Sequence, residues 1–468
     1  MEGRSYHMTP EEFRRHGHAL IDWLADLSQR IDTLPVVAPV EPGEIAGRLP
    51  DHAPAEPEEF AALLRDLDDI VLPGITHWQH PGWFAYFPAN ASGPSILAEL
   101  AAAGLGVQGM LWSTSPACTE IEATVVDWLV DLLGLPEHFM MATGPGGGSI
   151  QVSASDATHL VHVVARLGRA VAGAGTDDLV AYCSQQAHSS VERGARIAGY
   201  RHIRTLETDE RYALRPDALA TAVGADRAAG LVPAIVTSCV GTTGTAAVDP
   251  VAAVSALASE HGLWHHVDAA YAGSAMVCPE HRHHQAGVET VDSYTFNPHK
   301  WLFTNFDCNV LWWADRRPLN AALSSVPPYL RNAASDSGEV VDYRDWQVPL
   351  GRRFRSLKLW WVLRSYGVEG LRHHIAEHVR LAHWLADRVA EHPRLELSAP
   401  PSFALTCFHH VAGDTATDDL ATAINAVPSV YVTPSSIGGR RYIRVSVGQT
   451  WTSEDHVRAL WAIIDAAA

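Results

Sequence analysis

Ser293-Tyr-Thr-Phe-Asn-Pro-His-Lys-Trp-Leu302 opens as a β-rich run and closes on a lysine set between a histidine and a tryptophan. A lysine in a polar loop is a solvated surface charge. Lys300 instead stands among Phe296, Pro298 and Trp301. Desolvation disfavours an ammonium and lowers its pKa, and a depressed lysine is the nucleophile that condenses with carbonyl cofactors. The same surroundings also suit a structural lysine that snorkels its charge to water. A second segment favours the chemical reading. Leu263-Trp-His-His-Val-Asp-Ala-Ala-Tyr-Ala-Gly273 is an apolar run ending in Asp268, followed by small residues that admit something flat. An aspartate and a lysine at neighbouring strand ends are what pyridoxal phosphate requires, the first to pair with the ring nitrogen and the second to hold the aldehyde carbon.

Around these segments helices and strands alternate. Leu179–Cys183, Ala234–Cys239, Leu263–Val267 and Val291–Phe296 read as short strands, and Asp249-Pro250 opens a helix running to His261. This alternation predicts an α/β domain over residues 92–345 with a mainly parallel sheet, whose ligand binds at the carboxyl ends of the strands. Residues 1–91 read as a helical extension. Thr9-Pro10-Glu11-Glu12 caps a first helix with an apolar stripe, Leu34–Pro57 is a proline-rich linker, and Glu58–Ile70 is a second amphipathic helix. Two helices and a linker lack a core of their own, so their apolar faces need another surface. Residues 346–468 read as a smaller α+β domain. A helix leads from about Trp346 to Tyr366, another spans Val368–Val389, and shorter elements follow to a last helix, Ser453–Ala466. Met1–His7 shows no pattern and is set aside.

Composition narrows the function classes. Of 468 residues, 47% are hydrophobic and 19% charged, as in ordinary globular proteins. The formal net charge of −19 speaks against nucleic acid or an anionic membrane as partner. No apolar run is long enough for a membrane span, and the N-terminus has no signal core. The six cysteines are scattered without a Cys-x-x-Cys pair, which points to free thiols in a reducing, cytoplasmic setting and not to a disulfide or zinc framework. His281-Arg-His-His284 resembles a metal cluster but reads as a solvated loop, and no metal is expected.

The chain resembles the pyridoxal-phosphate-dependent aromatic L-amino-acid decarboxylases, the group II decarboxylases, from Met8 to about Ile464. The resemblance rests on Thr-His-Trp at 76–78, Phe-Ala-Tyr-Phe-Pro at 84–88, Ser-Pro-Ala-Cys-Thr-Glu at 115–120 and Gln-Ala-His-Ser-Ser-Val-Glu-Arg at 186–193. It continues through His-Val-Asp-Ala-Ala-Tyr-Ala-Gly-Ser at 266–274, Asn-Pro-His-Lys-Trp-Leu at 297–302 and Gly-Arg-Arg-Phe-Arg-Ser-Leu-Lys at 351–358. It implies a fold-type I transferase fold and a homodimer with shared active sites. It also implies roles. Lys300 carries the cofactor and Asp268 pairs with its ring nitrogen. His188 stacks on one ring face and helps hold the substrate carboxylate, and Ala270 closes the other face. Thr243 supports the site by a hydroxyl hydrogen bond. The glycine-rich Thr143–Ser149 loop, with Ser153, Ala154 and Ser155 opening a helix, would cradle the phosphate together with Asn297 and His299. That loop is equally readable as a flexible turn, and Val152 stands where several relatives have glycine.

Tyr329 lies in a polar, proline-bearing stretch, Ser324–Asp336, that reads as a lid. In the resembled family it comes from the neighbouring subunit and protonates the product carbon, whereas relatives with phenylalanine there form aldehydes. The resemblance assigns Trp78, Tyr86, Phe87 and Pro88 to an aromatic side-chain pocket, with Gln108 and Met110 arriving across the dimer interface. Gly351 accompanies indole substrates in plant relatives, and serine there accompanies phenols, although some animal relatives with glycine accept catechols. Tryptophan or 5-hydroxytryptophan is therefore the expected substrate, with dopa, tyrosine and phenylalanine open. An aldehyde synthase, a decarboxylase of a non-aromatic acid and a catalytically silent protein are the competing readings. The last should have lost Lys300, Asp268 or Tyr329, and the chain keeps all three.

Overall fold

The computed structural model describes residues 6–171, 173–324 and 340–468. Its centre is a sheet of seven strands: β1 (Gly147–Gln151), β2 (Leu179–Ser184), β3 (His202–Leu206), β4 (Val232–Cys239), β5 (Trp264–Asp268), β6 (Ser293–Phe296) and β7 (Asn309–Trp313), in the order β1-β7-β6-β5-β4-β2-β3. The pairs from β3 through β6 are parallel, and β7 runs antiparallel to both β6 and β1. Strands such as β2 and β7 are buried along their whole length because helices cover both faces of the sheet. The connecting helices include Ala154–Val171, Ser189–Ile197, Pro216–Ala228 and Val251–His261.

A second, antiparallel sheet contains β8 (Leu395–Leu397), β9 (Leu405–His410), β10 (Thr433–Ile437) and β11 (Arg440–Ser446), ordered β10-β11-β9-β8. Its apolar side chains, among them Phe408, Ile443 and Val445, join Phe84, Tyr271 and Trp301 in one continuous core with the large sheet. The first helix is Pro10–Arg30, closed by a reciprocal Thr9–Glu12 capping box. None of its residues is buried, and Trp23 and Arg30 tie it to Asp68 at 3.0 and 2.6 Å.

Several sequence expectations need correction. The second helix is regular only over Phe60–Asp66 and continues as a π-turn through Leu67–Val71. Residues 82–86 of the N-terminal region are not helical. They lie against the small domain, with Phe84 N–H donating to the Tyr431 carbonyl and Ser446 N–H to the Phe84 carbonyl, both at 2.9 Å. Asp249 does not cap the helix after it. Its two oxygens accept the Leu214 and Cys239 N–H groups, each at 2.7 Å, and burial pushes its pKa up to about 6. The helix expected from Trp346 begins only at Arg355. The His281–His284 segment is not a solvated loop. Arg282 donates to the Met276 and Leu132 carbonyls, and the His284 ring lies 4.9 Å from that of Phe403.

The long helix Arg355–Glu391 is two helices meeting at Gly367, whose backbone sits at φ 62°, ψ 174°. That region is essentially restricted to glycine, and no atom crowds the place a Cβ would take. Gly367→Ala should therefore act through backbone strain alone. It should cost about 1–3 kcal/mol of stability in urea unfolding and leave cofactor affinity unchanged.

Candidate active site

The parallel strands end at one edge of the sheet, and β1 ends there too, because it is antiparallel to β7 and β7 to β6. Chain leaving these ends walls a cavity of ≈ 200 Å³. After β4 come Gly241, Thr242 and Thr243, after β5 Asp268, Ala270 and Tyr271, and after β6 Asn297, His299 and Lys300. His188 and Ser190 enter beyond β2, and Ser153, Ala154 and Ser155 beyond β1. Strand ends gather these groups because only there do loops leave the sheet without breaking its ladder.

Lys300 is half-buried and its Nζ lies 5.6 Å from the centre of the Phe87 ring. Burial lowers its pKa, nearby Asp268 opposes that shift, and the Arg444 guanidinium adds to it. Asp268 is buried, and one of its oxygens accepts the Ala270 N–H at 2.9 Å. Ala270 itself is buried and small, so the chain after Asp268 leaves room beside the carboxylate. Phe87 stacks on Tyr271 at 3.8 Å, and Tyr271 on Trp301 at 5.0 Å, which makes one wall rigid and apolar.

His188 opens onto the cavity. Its Nδ1 accepts the Ser190 N–H at 3.2 Å, with the Ser190 hydroxyl at 2.8 Å. The neutral ring therefore carries its proton on Nε2. The surrounding walls depress its pKa, with Asp268 opposing and Lys300 reinforcing, and all three residues line the same cavity. At the β1 end, Ser153 Oγ caps the helix by accepting the Asp156 N–H at 3.2 Å. The N–H groups of Ala154 and Ser155 belong to the first turn, which a helix cannot pair internally. The glycines before them do not form a cradle. Gly147 and Gly148 lie within β1, where a Cβ on Gly148 would run into Val126 and Trp312. Their role is close packing, and the anion-binding geometry belongs to the helix start.

A half-buried lysine with an aspartate at the end of the next strand and a helix N-terminus in the same cavity has the chemistry that an aldehyde-bearing phosphate ester would need. Residues 42–411 match the family described as "Pyridoxal-dependent decarboxylase conserved domain". The chain belongs to the pyridoxal-dependent decarboxylase family. It is 45% identical to phenylacetaldehyde synthase of Arabidopsis thaliana, over 98% of this chain and 96% of that protein. It is 42% identical to aromatic-L-amino-acid decarboxylase of Bos taurus, over 98% and 97% of the two chains. A solved structure of Oryza sativa TDC with PLP and tryptamine superposes with a TM-score of 0.97 at 40% identity, covering 99% of each chain. Pyridoxal phosphate is the cofactor, and the cavity of this decarboxylase brings together a helix N-terminus and the Lys300 amine.

The other sequence candidates lie elsewhere. Of the four aromatic-pocket residues only Phe87 lines the cavity. Trp78 and Tyr86 are exposed and stack on each other at 5.6 Å, and Pro88 is buried beside Trp301. Gln108, Met110 and Gly351 form a separate cluster. Gln108 Oε1 accepts the Arg352 N–H at 3.0 Å, the Met110 carbonyl accepts the Arg344 N–H at 3.0 Å, and a Cβ on Gly351 would lie 3.5 Å from Gln108 Nε2. Within one chain these residues do not reach the cavity wall. Tyr329 lies outside the described residues. Sequence reasoning missed Cys239, Thr242, Ser190 and Tyr271, which line the cavity, and Arg444, which stands 5.0 Å from the Phe87 ring. The first four border motifs already noted. Arg444 carries no local signal, since it is brought in by the small domain.

Borohydride reduction of the cofactor-loaded protein should fix the cofactor to the Lys300 peptide, as read by mass spectrometry, and Lys300→Ala should abolish the label. Because burial favours the neutral amine, capture of pyridoxal phosphate by the apoprotein should reach its plateau below pH 10.5, the ordinary lysine value, in stopped-flow absorbance.

Proposed function

We propose that this decarboxylase removes CO2 from an aromatic L-amino acid and releases the arylalkylamine, with tryptophan or 5-hydroxytryptophan favoured. The observation that carries the reading is the convergence of Lys300, Asp268 and His188 on one cavity with the apolar Phe87–Tyr271 wall. The near full-length similarity to aromatic decarboxylases supports it. Bound pyridoxal phosphate supplies the electron sink for the pair left behind when the carboxylate departs.

The chain's own groups do the rest. Burial lowers the pKa of Lys300 and so moves it towards the neutral, nucleophilic amine. Asp268 would pair with the ring nitrogen and keep it protonated. His188 presents Nε2–H, fixed by the bond at Nδ1, and would orient the substrate carboxylate. Ser153, Ala154, Ser155, Asn297 and His299 would hold the phosphate, and Thr243 lines the same cavity. Tyr329 supplies the final proton, since a phenol is protonated at neutral pH.

The chain works as a homodimer in this reading. Ile96, Leu97, Leu100 and Leu105 are 41–61% exposed on one helix, and Phe13 is 63% exposed on the first. An apolar face of this kind calls for a partner, and a second subunit would bring Tyr329, Gln108 and Met110 to the cavity. We assign the protein to the cytoplasm, because all six cysteines are unpaired and buried. No described helix is long and apolar enough to cross a membrane. We further read residues 1–91 as the dimerising extension, 92–345 as the cofactor domain and 346–468 as the small domain.

An aldehyde synthase is the second reading, favoured by the 45% identity to phenylacetaldehyde synthase. Incubation with the aromatic amino acids separates the two: amine with CO2 supports decarboxylation, and aldehyde with ammonia and peroxide supports the alternative. Tyr329→Phe should lower amine output by about 10²–10⁴-fold and raise aldehyde, ammonia and peroxide, with cofactor affinity unchanged. Amine formed at the wild-type rate would assign the proton to another donor.

A further inference from the structure

Asn297 and His299 each have two chemically different ends, and the choice of end is made behind the cavity, where β7 begins. The pairing of Phe296 with Val310 sets Asn309 opposite Asn297. Asn309 Nδ2 lies 3.0 Å from the Phe296 carbonyl, which can only accept a hydrogen bond. It lies 2.8 Å from Thr295 Oγ1 as well. That hydroxyl spends its proton on the Val310 carbonyl at 2.9 Å, so towards Asn309 it too can only accept. Two acceptors thus fix this end of Asn309 as the NH2.

The same NH2 stands 2.7 Å from Asn297 Oδ1, the shortest of the three contacts, so its two protons are shared among three acceptors. Were Asn297 turned over, two donors would face each other in a buried setting, which costs far more than the bond contributes. Asn297 therefore keeps its carbonyl oxygen towards Asn309 and its NH2 towards the cavity. His299 is set by the same stretch. Cys308 N–H donates to its Nδ1 at 2.9 Å, so the single proton of the neutral ring is on Nε2. Burial, reinforced by Lys300 and Lys358, holds the pKa of that ring down to about 3.

We propose that Asn309, which does not line the cavity, is a positioning residue for the cofactor phosphate: it fixes the polarity of Asn297 so that the anion meets an N–H face. This rests on the reading of Asn297 as a phosphate ligand. The physical need is plain. An anion beside a buried amide oxygen would be repelled, and an asparagine held by nothing would present either end.

The test is a double-mutant cycle on purified apoprotein, with affinity for pyridoxal phosphate read by quenching of tryptophan fluorescence and pyridoxal as the phosphate-free probe. Asn309→Asp keeps the shape and, as a carboxylate, can only accept, so at a pH where it is ionised Asn297 should turn to donate to it. Pyridoxal phosphate should bind roughly tenfold to a hundredfold more weakly, while pyridoxal affinity stays as in the wild type. In an Asn297→Ala background, Asn309→Asp should add no further loss. If Asn297→Ala alone leaves affinity unchanged, the ligand reading fails and this proposal with it. If Asn297→Ala weakens binding but the two losses multiply, or if pyridoxal suffers equally, the ligand reading stands and the positioning role is overturned. Should Asn309→Asp not fold, Asn309→Ala enters the same cycle and the same outcomes apply.

Discussion

Keeping a primary amine out of water at the end of a β-strand is the constraint on which the site depends. A buried ammonium is costly unless it is paired, and Lys300 has Asp268 near it but no protein carboxylate within ion-pair distance among the described residues. Burial lowers the pKa of Lys300 and so shifts it towards the neutral amine, which is the reactive form. The stack of Phe87, Tyr271 and Trp301 supplies the dry surroundings. Those three rings come from the N-terminal region, the β5 end and the β6 end, so the environment of Lys300 exists only once all three have docked.

The small domain is part of that environment. Arg444 Nε and the Tyr442 hydroxyl both donate to the Gly244 carbonyl, at 3.0 and 3.1 Å. Ser402 Oγ donates to the Ala246 carbonyl at 2.9 Å. The loop so held is the one that carries Gly241, Thr242 and Thr243 along the cavity wall. On the far side of the same loop, Asp249 receives the Cys239 N–H and so anchors the end of β4. Positions of wall residues are thus set from both sides, by a buried carboxylate and by the second domain. The guanidinium of Arg444 also bears on Lys300 electrostatically, which makes a residue of β11 part of the chemistry at β6.

Much of this was legible in the chain because it is local. The strand runs at 179–183, 234–239 and 291–296, the cap at Thr9, and the Asp268 and Lys300 motifs all follow from short-range patterns: apolar continuity, capping chemistry and small residues beside a charge. The similarity of whole motifs to a known family added the cofactor. What failed was also local in origin. Glycines at 146–148 read as a loop because glycine is the usual turn residue, yet Gly147 and Gly148 lie in β1, where Gly148 lets the strand pack against Trp312 and Val126. Asp249 before Pro250 read as a cap, yet its carboxylate is taken by two N–H groups from other segments.

By itself, then, the sequence determined the alternating α/β architecture, the two charged residues at strand ends and the family, since periodicity and motif spacing are properties of the chain. The tertiary structure alone decided which backbone donors line the phosphate end, which tautomer His188 carries, and which end of Asn297 faces the cavity. Those choices depend on contacts such as Ser190 to His188, which the folded turn creates, and Asn309 to Asn297, which strand register creates across 12 residues. It also separated Gln108, Met110 and Gly351 from the cavity of their own chain, because the distance between two loops is fixed by packing and not by their side chains.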